Sequence, residues 1–445
     1  MQNQLIADFP NLDAFWMPFT ANRRFKASPR LLASAQGMFF TSIDGQKILD
    51  ATSGLWCVNA GHGRPEIAES VERQLKTLDF GPTFELAHPI AFEFAEKLAA
   101  LSPGGKSAEL DQIFFTNSGS ESVDTALKIA LAYQRSIGQG TRTRLIGRER
   151  AYHGVGFGGI SVGGITKNRR SFGELHGVSH IRHTHDPARN AFSKGQPEHG
   201  EEFADDLERL VQFHGPETIA ACIIEPVSGS TGVLVPPKGY LKRIREICSR
   251  YGILLIMDEV ITGFGRLGAP FAADLFEVQP DIITTAKALT NGSIPMGAVF
   301  VRRSVKNAVV ESVDRGIELF HGYTYSGHPV ACAAGLATLH IYEREKLFTR
   351  AAELSQVWED AIHQLRTARN VVDIRAIGLM AGIELASRPG DDGARGYEIF
   401  VDCLRRGLLI RVTGDTIALS PPLIVEAHQI DEIISILGDA INRAS

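Results

Sequence analysis

The chain has 445 residues, 44% of them hydrophobic, which is too long for one simple core and leaves room for two or more packed units. Charged residues make up 22% and the formal net charge is −5. That balance excludes an intrinsically disordered chain and argues against a nucleic-acid or anionic-membrane surface, which needs a clustered excess of Lys and Arg. The five cysteines, Cys57, Cys222, Cys248, Cys332 and Cys403, are scattered and no pair has metal-finger spacing, so a reduced, cytoplasmic protein is expected. Met1-Gln2-Asn3-Gln4-Leu5-Ile6 shows no basic region followed by a long apolar one, the pattern of a secretory signal. Apolar runs such as residues 253–257 fall far short of the roughly 20 residues a membrane helix needs, so no membrane partner is expected.

In chain order, the first clear element is a hairpin. Phe39-Phe40-Thr41-Ser42-Ile43 and Gln46-Lys47-Ile48-Leu49 flank Asp44-Gly45, a dipeptide that accepts the positive φ of a tight turn. The middle of the chain alternates short apolar runs (residues 112–115, 220–224, 253–257 and 282–285) with helical patterns. In one of these, Tyr240, Leu241, Ile244 and Ile247 recur at helix spacing between two runs. Strand, helix, strand in that order implies a parallel sheet covered by helices. After Lys287 only a short Gly/Ser/Pro stretch precedes the run at 296–301. A parallel crossover needs about a dozen residues, so this strand is expected to run antiparallel to its neighbour. From about residue 325 a long helical pattern begins, followed by strand candidates at 379–385, 408–412 and 416–419 and a final helix. We read these as a second, smaller α+β unit completed by the N-terminal hairpin.

Three constellations carry chemistry. A strand ending Phe114-Phe115-Thr116 feeds Asn117-Ser118-Gly119-Ser120-Glu121-Ser122, after which Val123, Ala126, Leu127, Ala130 and Leu131 recur at helix spacing. Free backbone N–H groups and the helix dipole at such a turn favour a phosphate, although an ordinary cap by Ser118 or Ser120 accounts for the turn equally well in isolation. Asp258-Glu259 end a buried strand, where ligands sit in open α/β sheets; alternate side chains face opposite ways, so only one of the two points into a given pocket. Thr284-Thr285-Ala286-Lys287 places a lysine after another buried strand, where desolvation would lower its pKa as a covalent cofactor lysine requires.

Phosphate turn, strand-end acid and strand-end lysine together fit pyridoxal 5'-phosphate (PLP), which needs an anion site, an amine for its aldehyde and an acid to keep its ring nitrogen protonated. A carboxylate about 4 Å from the pyridinium is worth about 4 kcal/mol at an effective dielectric near 20, or about three pKa units. That suffices to hold the ring charged at neutral pH.

The sequence resembles the class III (ω) aminotransferases over nearly its whole length, and within them the ω-amino acid–pyruvate (β-alanine–pyruvate) branch. The matching stretches are Trp16-Met17-Pro18-Phe19-Thr20-Ala21-Asn22, Gly54-Leu55-Trp56-Cys57-Val58-Asn59-Ala60-Gly61-His62-Gly63, Ser118 to Ser122, Tyr152-His153-Gly154, Glu225-Pro226-Val227, Asp258-Glu259-Val260, Lys287 and the segment from His321 to Pro329. Position 327 is Gly where close relatives are expected to carry Ala. The resemblance implies a PLP-dependent transferase of fold type I: a mostly parallel seven-stranded sheet with one antiparallel strand, plus a smaller α+β domain. It implies an N-terminal segment (1–60) joining the small domain, a large PLP-binding domain (61–325) and a C-terminal small domain (326–445).

By the same resemblance Lys287 bonds to the cofactor and Asp258 is the acid on its ring nitrogen. Ser118, Gly119 and Ser120 belong to the phosphate turn, Tyr152 and Val260 sandwich the ring, and His153 and Glu225 lie near it. Thr324 reaches the phosphate from a partner subunit, making a homodimer with shared active sites, with a tetramer left open. Arg411 binds the substrate carboxylate, a task its planar guanidinium suits. Phe19, Trp56, Phe84 and Tyr152 wall an aromatic substrate pocket, with Phe84 from the neighbouring subunit. The ornithine and γ-aminobutyrate branches carry a Glu five residues after the Glu of their Glu-Pro motif. Here that position is Ser230, which leaves Arg411 free. The implied reaction moves an amino group from an ω-amino acid of the β-alanine type, or a primary amine, to pyruvate. Another 2-oxo acid acceptor and an aminomutase remain the alternatives.

Two patterns are set aside. Gly154-Val155-Gly156-Phe157-Gly158-Gly159 has the spacing of a dinucleotide fingerprint, but a polar stretch separates it from the strand candidate at Leu145-Ile146 and no helical pattern follows. His180, His183 and His185 suggest a metal, but Arg182, Thr184, Asp186 and Pro187 around them read as a solvated loop, and no metal is expected.

Overall fold

The structure, a computed structural model, describes residues 11–105 and 109–444. The stretch from Met1 to Ile6, read above as lacking a secretory signal, lies outside them. Among the described residues no helix is long and apolar enough to cross a membrane.

A seven-stranded sheet forms the centre. Its strands are β4 (Gln112–Thr116), β5 (Arg144–Arg148), β6 (Val178–Ile181), β7 (Ile219–Ile224), β8 (Leu254–Asp258), β9 (Ile282–Thr285) and β10 (Gly297–Val301), in the order β4-β10-β9-β8-β7-β5-β6. Only β10 runs against the rest, pairing antiparallel with both β9 and β4, as the short link after Lys287 requires. The inner strands are apolar on both faces because helices cover both. Ile223 and Ile256 pack on the side of helix α3 (Gly119–Ser136), with Val123, Ala126 and Ile129. Their neighbours Cys222, Ile224, Leu255 and Met257 face the other way, into the core that holds Tyr240, Leu241, Ile244 and Ile247 of α4 (Tyr240–Tyr251). Helices α1 (Pro65–Thr77) and α2 (Pro89–Ala100) both begin with proline and pack on α5 (Pro329–Arg344).

Two smaller sheets complete the molecule. One joins β1 (Leu32–Gln36), β2 (Phe39–Ser42) and β3 (Lys47–Asp50) to β13 (Leu408–Leu409), with Asp44-Gly45 turning the β2–β3 hairpin in the expected register, Phe39 opposite Leu49. The other orders β11 (Val371–Ile377), β12 (Met380–Leu385), β15 (Thr416–Leu419) and β14 (Arg411–Thr413). The N-terminal hairpin therefore shares a sheet with a strand from beyond residue 400, where β13 pairs parallel with β3. The apolar run at 408–412, read as one strand, is split by Ile410 between the two sheets. Helices α6 (Leu347–His363), α7 (Ala394–Arg405) and α8 (Ala427–Arg443) cover these sheets.

The set-aside regions differ from their reading. A short helix, Phe157–Val162, does follow the glycine-rich stretch. Its Gly-rich sequence carries no helical signal, but bare glycine backbone lets it lie against Asp124, whose carboxylate accepts the Gly159 N–H at 2.8 Å. The histidines are half-buried rather than solvated. Nε2 of His180 lies 2.9 Å from Gly163 O, while His185 meets Asp373 and Glu384, the three ligand atoms falling within 4.8 Å. Arg375 already supplies the cation there, donating Nη1 to both carboxylates, at 2.8 Å to Glu384.

Candidate active site

The C-terminal ends of the parallel strands converge on one cavity of about 120 Å³. Gly119 and Ser120 follow β4, Tyr152, His153 and Gly154 follow β5, Glu225 follows β7, Asp258 ends β8 with Val260 and Ile261 after it, and Lys287 follows β9. Open α/β sheets place their ligands at this edge.

The floor is a fixed carboxylate. Asp258 Oδ1 accepts the Val260 N–H at 3.1 Å and Oδ2 lies 2.8 Å from Nδ1 of His153. Glu259 faces the opposite way, as strand alternation requires. Its carboxylate accepts the N–H groups of Ala272 and Ala273 and the Thr262 hydroxyl, and burial raises its pKa to about 7. Glu225 is buried and its carboxyl is pushed up by desolvation while Oε1 accepts the Tyr152 N–H at 2.9 Å.

Lys287 lines the same cavity as Asp258 and Glu225. Burial pushes its amine below the ordinary lysine range, a shift that Cys57, Asp258 and Glu225 oppose and Arg411 reinforces. An amine so depressed is more often neutral, hence nucleophilic, at a given pH.

The first turn of α3 closes the cavity. Ser118 caps that helix by accepting the Glu121 N–H at 3.2 Å, and Gly119 and Ser120 line the opening. A Cβ on Gly119 would lie 2.9 Å from Cγ1 of Val260, so the bare backbone makes the cradle possible. Gly154, at φ +87°, could carry no Cβ without coming within 2.6 Å of the Ser120 backbone. The sequence reading missed Gly154 as a wall; its signal was its place beside Tyr152-His153, overshadowed by the dinucleotide spacing.

Other site residues lie apart from this lining. Arg411, half-buried on β14, is close enough to Tyr152 and Lys287 to interact electrostatically; burial lowers its proton affinity. It forms no ion pair among the described residues, its Nε is buried without a partner, and Thr413 on the same strand donates to Ser230 O at 3.0 Å. Trp56 is 2% exposed in the main core, whereas Phe19 is 81% exposed. Phe84 and Thr324 are exposed too, and Phe84 opens onto a separate groove of about 1000 Å³ with Ile113, Phe115, Phe320 and Gly322. Within one chain, neither Phe84 nor Thr324 meets Lys287.

These residues fit PLP: a helix N-terminus for an anion, a desolvated amine for an aldehyde, and a buried carboxylate held to face a ring nitrogen. With the seven-stranded sheet they define a PLP-dependent enzyme of fold type I. The chain belongs to the class III aminotransferases: the family model described as aminotransferase class-III matches residues 20–441. It is 61% identical over 434 residues to the omega-aminotransferase of Caulobacter vibrioides, covering 97% of this chain and 98% of that one. To the beta-alanine–pyruvate aminotransferase of Pseudomonas aeruginosa it is 47% identical over 435 residues, covering 97% and 96%. The omega transaminase of Pseudomonas jessenii in complex with PMP superimposes with a TM-score of 0.89 at 33% identity, covering 97% of this chain and 96% of that one.

Proposed function

We propose that the enzyme transfers an amino group from an ω-amino acid of the β-alanine type, or a primary amine, to pyruvate, giving an aldehyde or ketone and alanine. The observation that carries this reading is the convergence of the Lys287 amine and the Asp258 carboxylate on one cavity at the ends of adjacent strands. When bound, the cofactor supplies an electron sink that stabilises negative charge at the substrate carbon. The chain's own residues supply the rest. Lys287 would hold the cofactor, be released by the incoming amine, and as a freed, desolvated base move a proton between the substrate carbon and the cofactor. Asp258, anchored by His153, would face the ring nitrogen, while the start of α3 with Gly119 and Ser120 would bind the phosphate. Tyr152 and Val260 would flank the ring and Glu225 would lie near it; all three line the same cavity.

Arg411 binds the acceptor's carboxylate, and its lack of an acidic partner among the described residues supports that role. Ser230 in place of a Glu leaves it unlocked, and the name of the Pseudomonas aeruginosa relative, beta-alanine–pyruvate aminotransferase, supports pyruvate as the acceptor. Trp56 and Phe19 are substrate-side residues on the family resemblance alone, since neither lines the cavity within one chain. Thr324 of the partner subunit and Phe84 of the partner subunit complete the site in a homodimer. The exposed apolar groove around Phe84, Phe320 and Ile317 supports such a second copy. The division at about residues 60 and 325 belongs to the same proposal, supported by the β3–β13 pairing. So does a cytoplasmic location, supported by five unpaired thiols.

The test is an assay of purified enzyme pairing β-alanine and simple amines with pyruvate and with 2-oxoglutarate. Net nitrogen transfer to pyruvate supports the proposal. Transfer only to 2-oxoglutarate, or rearrangement within one substrate, overturns it.

A further inference from the structure

Lys287 has φ +51°, a conformation L-residues adopt rarely, and the single turn it opens, Lys287–Thr290, is closed by Asn291 at φ +52°. Asn tolerates this region readily; a lysine there persists only where its surroundings over-determine it. Gly292 N–H donates to Lys287 O at 3.1 Å, and the Tyr342 hydroxyl donates to Ala288 O at 2.7 Å. Beyond these, the buried Asn291 side chain spends both ends of its amide on one distant loop: Oδ1 accepts the Ala60 N–H at 2.8 Å and Nδ2 donates to Gly61 O at 2.9 Å.

That loop is itself strained, with positive φ at Ser53, Gly54 and Trp56. Buried charges hold its other side. Asp50 accepts the N–H groups of Thr52 (2.8 Å) and Gly54 (2.6 Å), and Arg266 donates to Ser53 Oγ at 2.8 Å and to Pro421 O at 2.6 Å. The loop also touches the lysine turn directly. A Cβ on Gly292 would lie 2.9 Å from the Cβ of Cys57, whose thiol interacts electrostatically with the Lys287 amine.

We propose that Asn291 is a positioning residue for Lys287: its amide clasps the 53–61 loop to the lysine turn, fixing the direction of the amine and the place of Cys57 beside it as one unit. The proposal rests on the reading of Lys287 as the cofactor lysine.

Two variants of the full-length, cofactor-loaded enzyme test it. N291G keeps the left-handed backbone and removes the amide; N291D keeps an acceptor for the Ala60 N–H and loses the donor to Gly61. Cys57 is half-buried while the other four thiols are buried, so its modification by a small maleimide, absent in a C57S control, reports release of the loop. Losing two neutral hydrogen bonds, N291G should label about tenfold faster and lose kcat about tenfold. KM for both substrates should stay within about twofold, and N291D, which sets a buried carboxylate oxygen against Gly61 O, should label at least as fast as N291G. Unchanged labelling overturns the clasp, and faster labelling with unchanged kcat overturns its link to the lysine. The lysine's own role is tested apart from this, by Lys287→Ala.

Discussion

Nδ1 of His153 lies 2.8 Å from Oδ2 of Asp258, and neither side chain is more than 5% exposed. Among the described residues the other oxygen of that carboxylate accepts only the Val260 N–H, so the imidazole is the side chain that sets its orientation. A hydrogen bond to a charged group is worth about 1.5–3 kcal/mol. His153→Ala should therefore lower kcat roughly tenfold to hundredfold and weaken cofactor affinity, with a shifted pH dependence of the bound cofactor's absorbance. Absorbance and kcat matching the parent would show that Asp258 needs no such support.

On the proposed reading, Lys287→Ala removes both the covalent tether and the base. Borohydride treatment should then fail to fix the cofactor to the chain, and turnover should fall by roughly 10²–10⁴-fold or more. Retention of fixed colour at another lysine would relocate the site.

Much of this site was legible because it follows local rules. Alternation along a buried strand says that Asp258 and Glu259 face opposite ways, and they do. The short link after Lys287 dictates the one antiparallel strand. What the sequence hid depends on non-local choices. The run from Leu408 to Thr413 is continuous to the eye, but β3, far away in the chain, claims Leu408-Leu409, while β15, the next strand, claims Arg411 to Thr413. Strand β1 escaped notice because Leu32-Ala33-Ser34-Ala35-Gln36 is mostly exposed and poor in β-branched residues. The burial of Trp56 follows from three positive-φ residues in its loop, which no periodicity announces.

Arg411 has a buried Nε without a partner and no ion pair among the described residues, as the proposed carboxylate-binding role requires. Arg411→Ala should raise KM for pyruvate about tenfold to hundredfold, the worth of a charge-assisted contact, and change KM for carboxylate-free amines by less than about threefold. Because the wild-type guanidinium costs desolvation, thermal stability without substrate should hold or rise. Equal losses for amines and keto acids would remove Arg411 from the substrate pocket.

Glu259 offers a test on stability alone, since its carboxyl faces away from the cavity. Its pKa is raised from 4.5 to about 7, chiefly by burial. Between those values the folded state holds a proton that the unfolded state has released, so stability falls as pH rises through the window. A shift of that size corresponds to on the order of 3 kcal/mol. Glu259→Gln keeps an acceptor for the Ala272 and Ala273 N–H groups and removes the titration. Denaturant melts of the variant at pH 5 and pH 8 should therefore differ less than those of the parent, by on the order of 3 kcal/mol, with the variant relatively more stable at pH 8. An identical pH dependence in the two proteins would mean that the three donors around Glu259 stabilise its charge fully, and that burial does not govern this carboxyl.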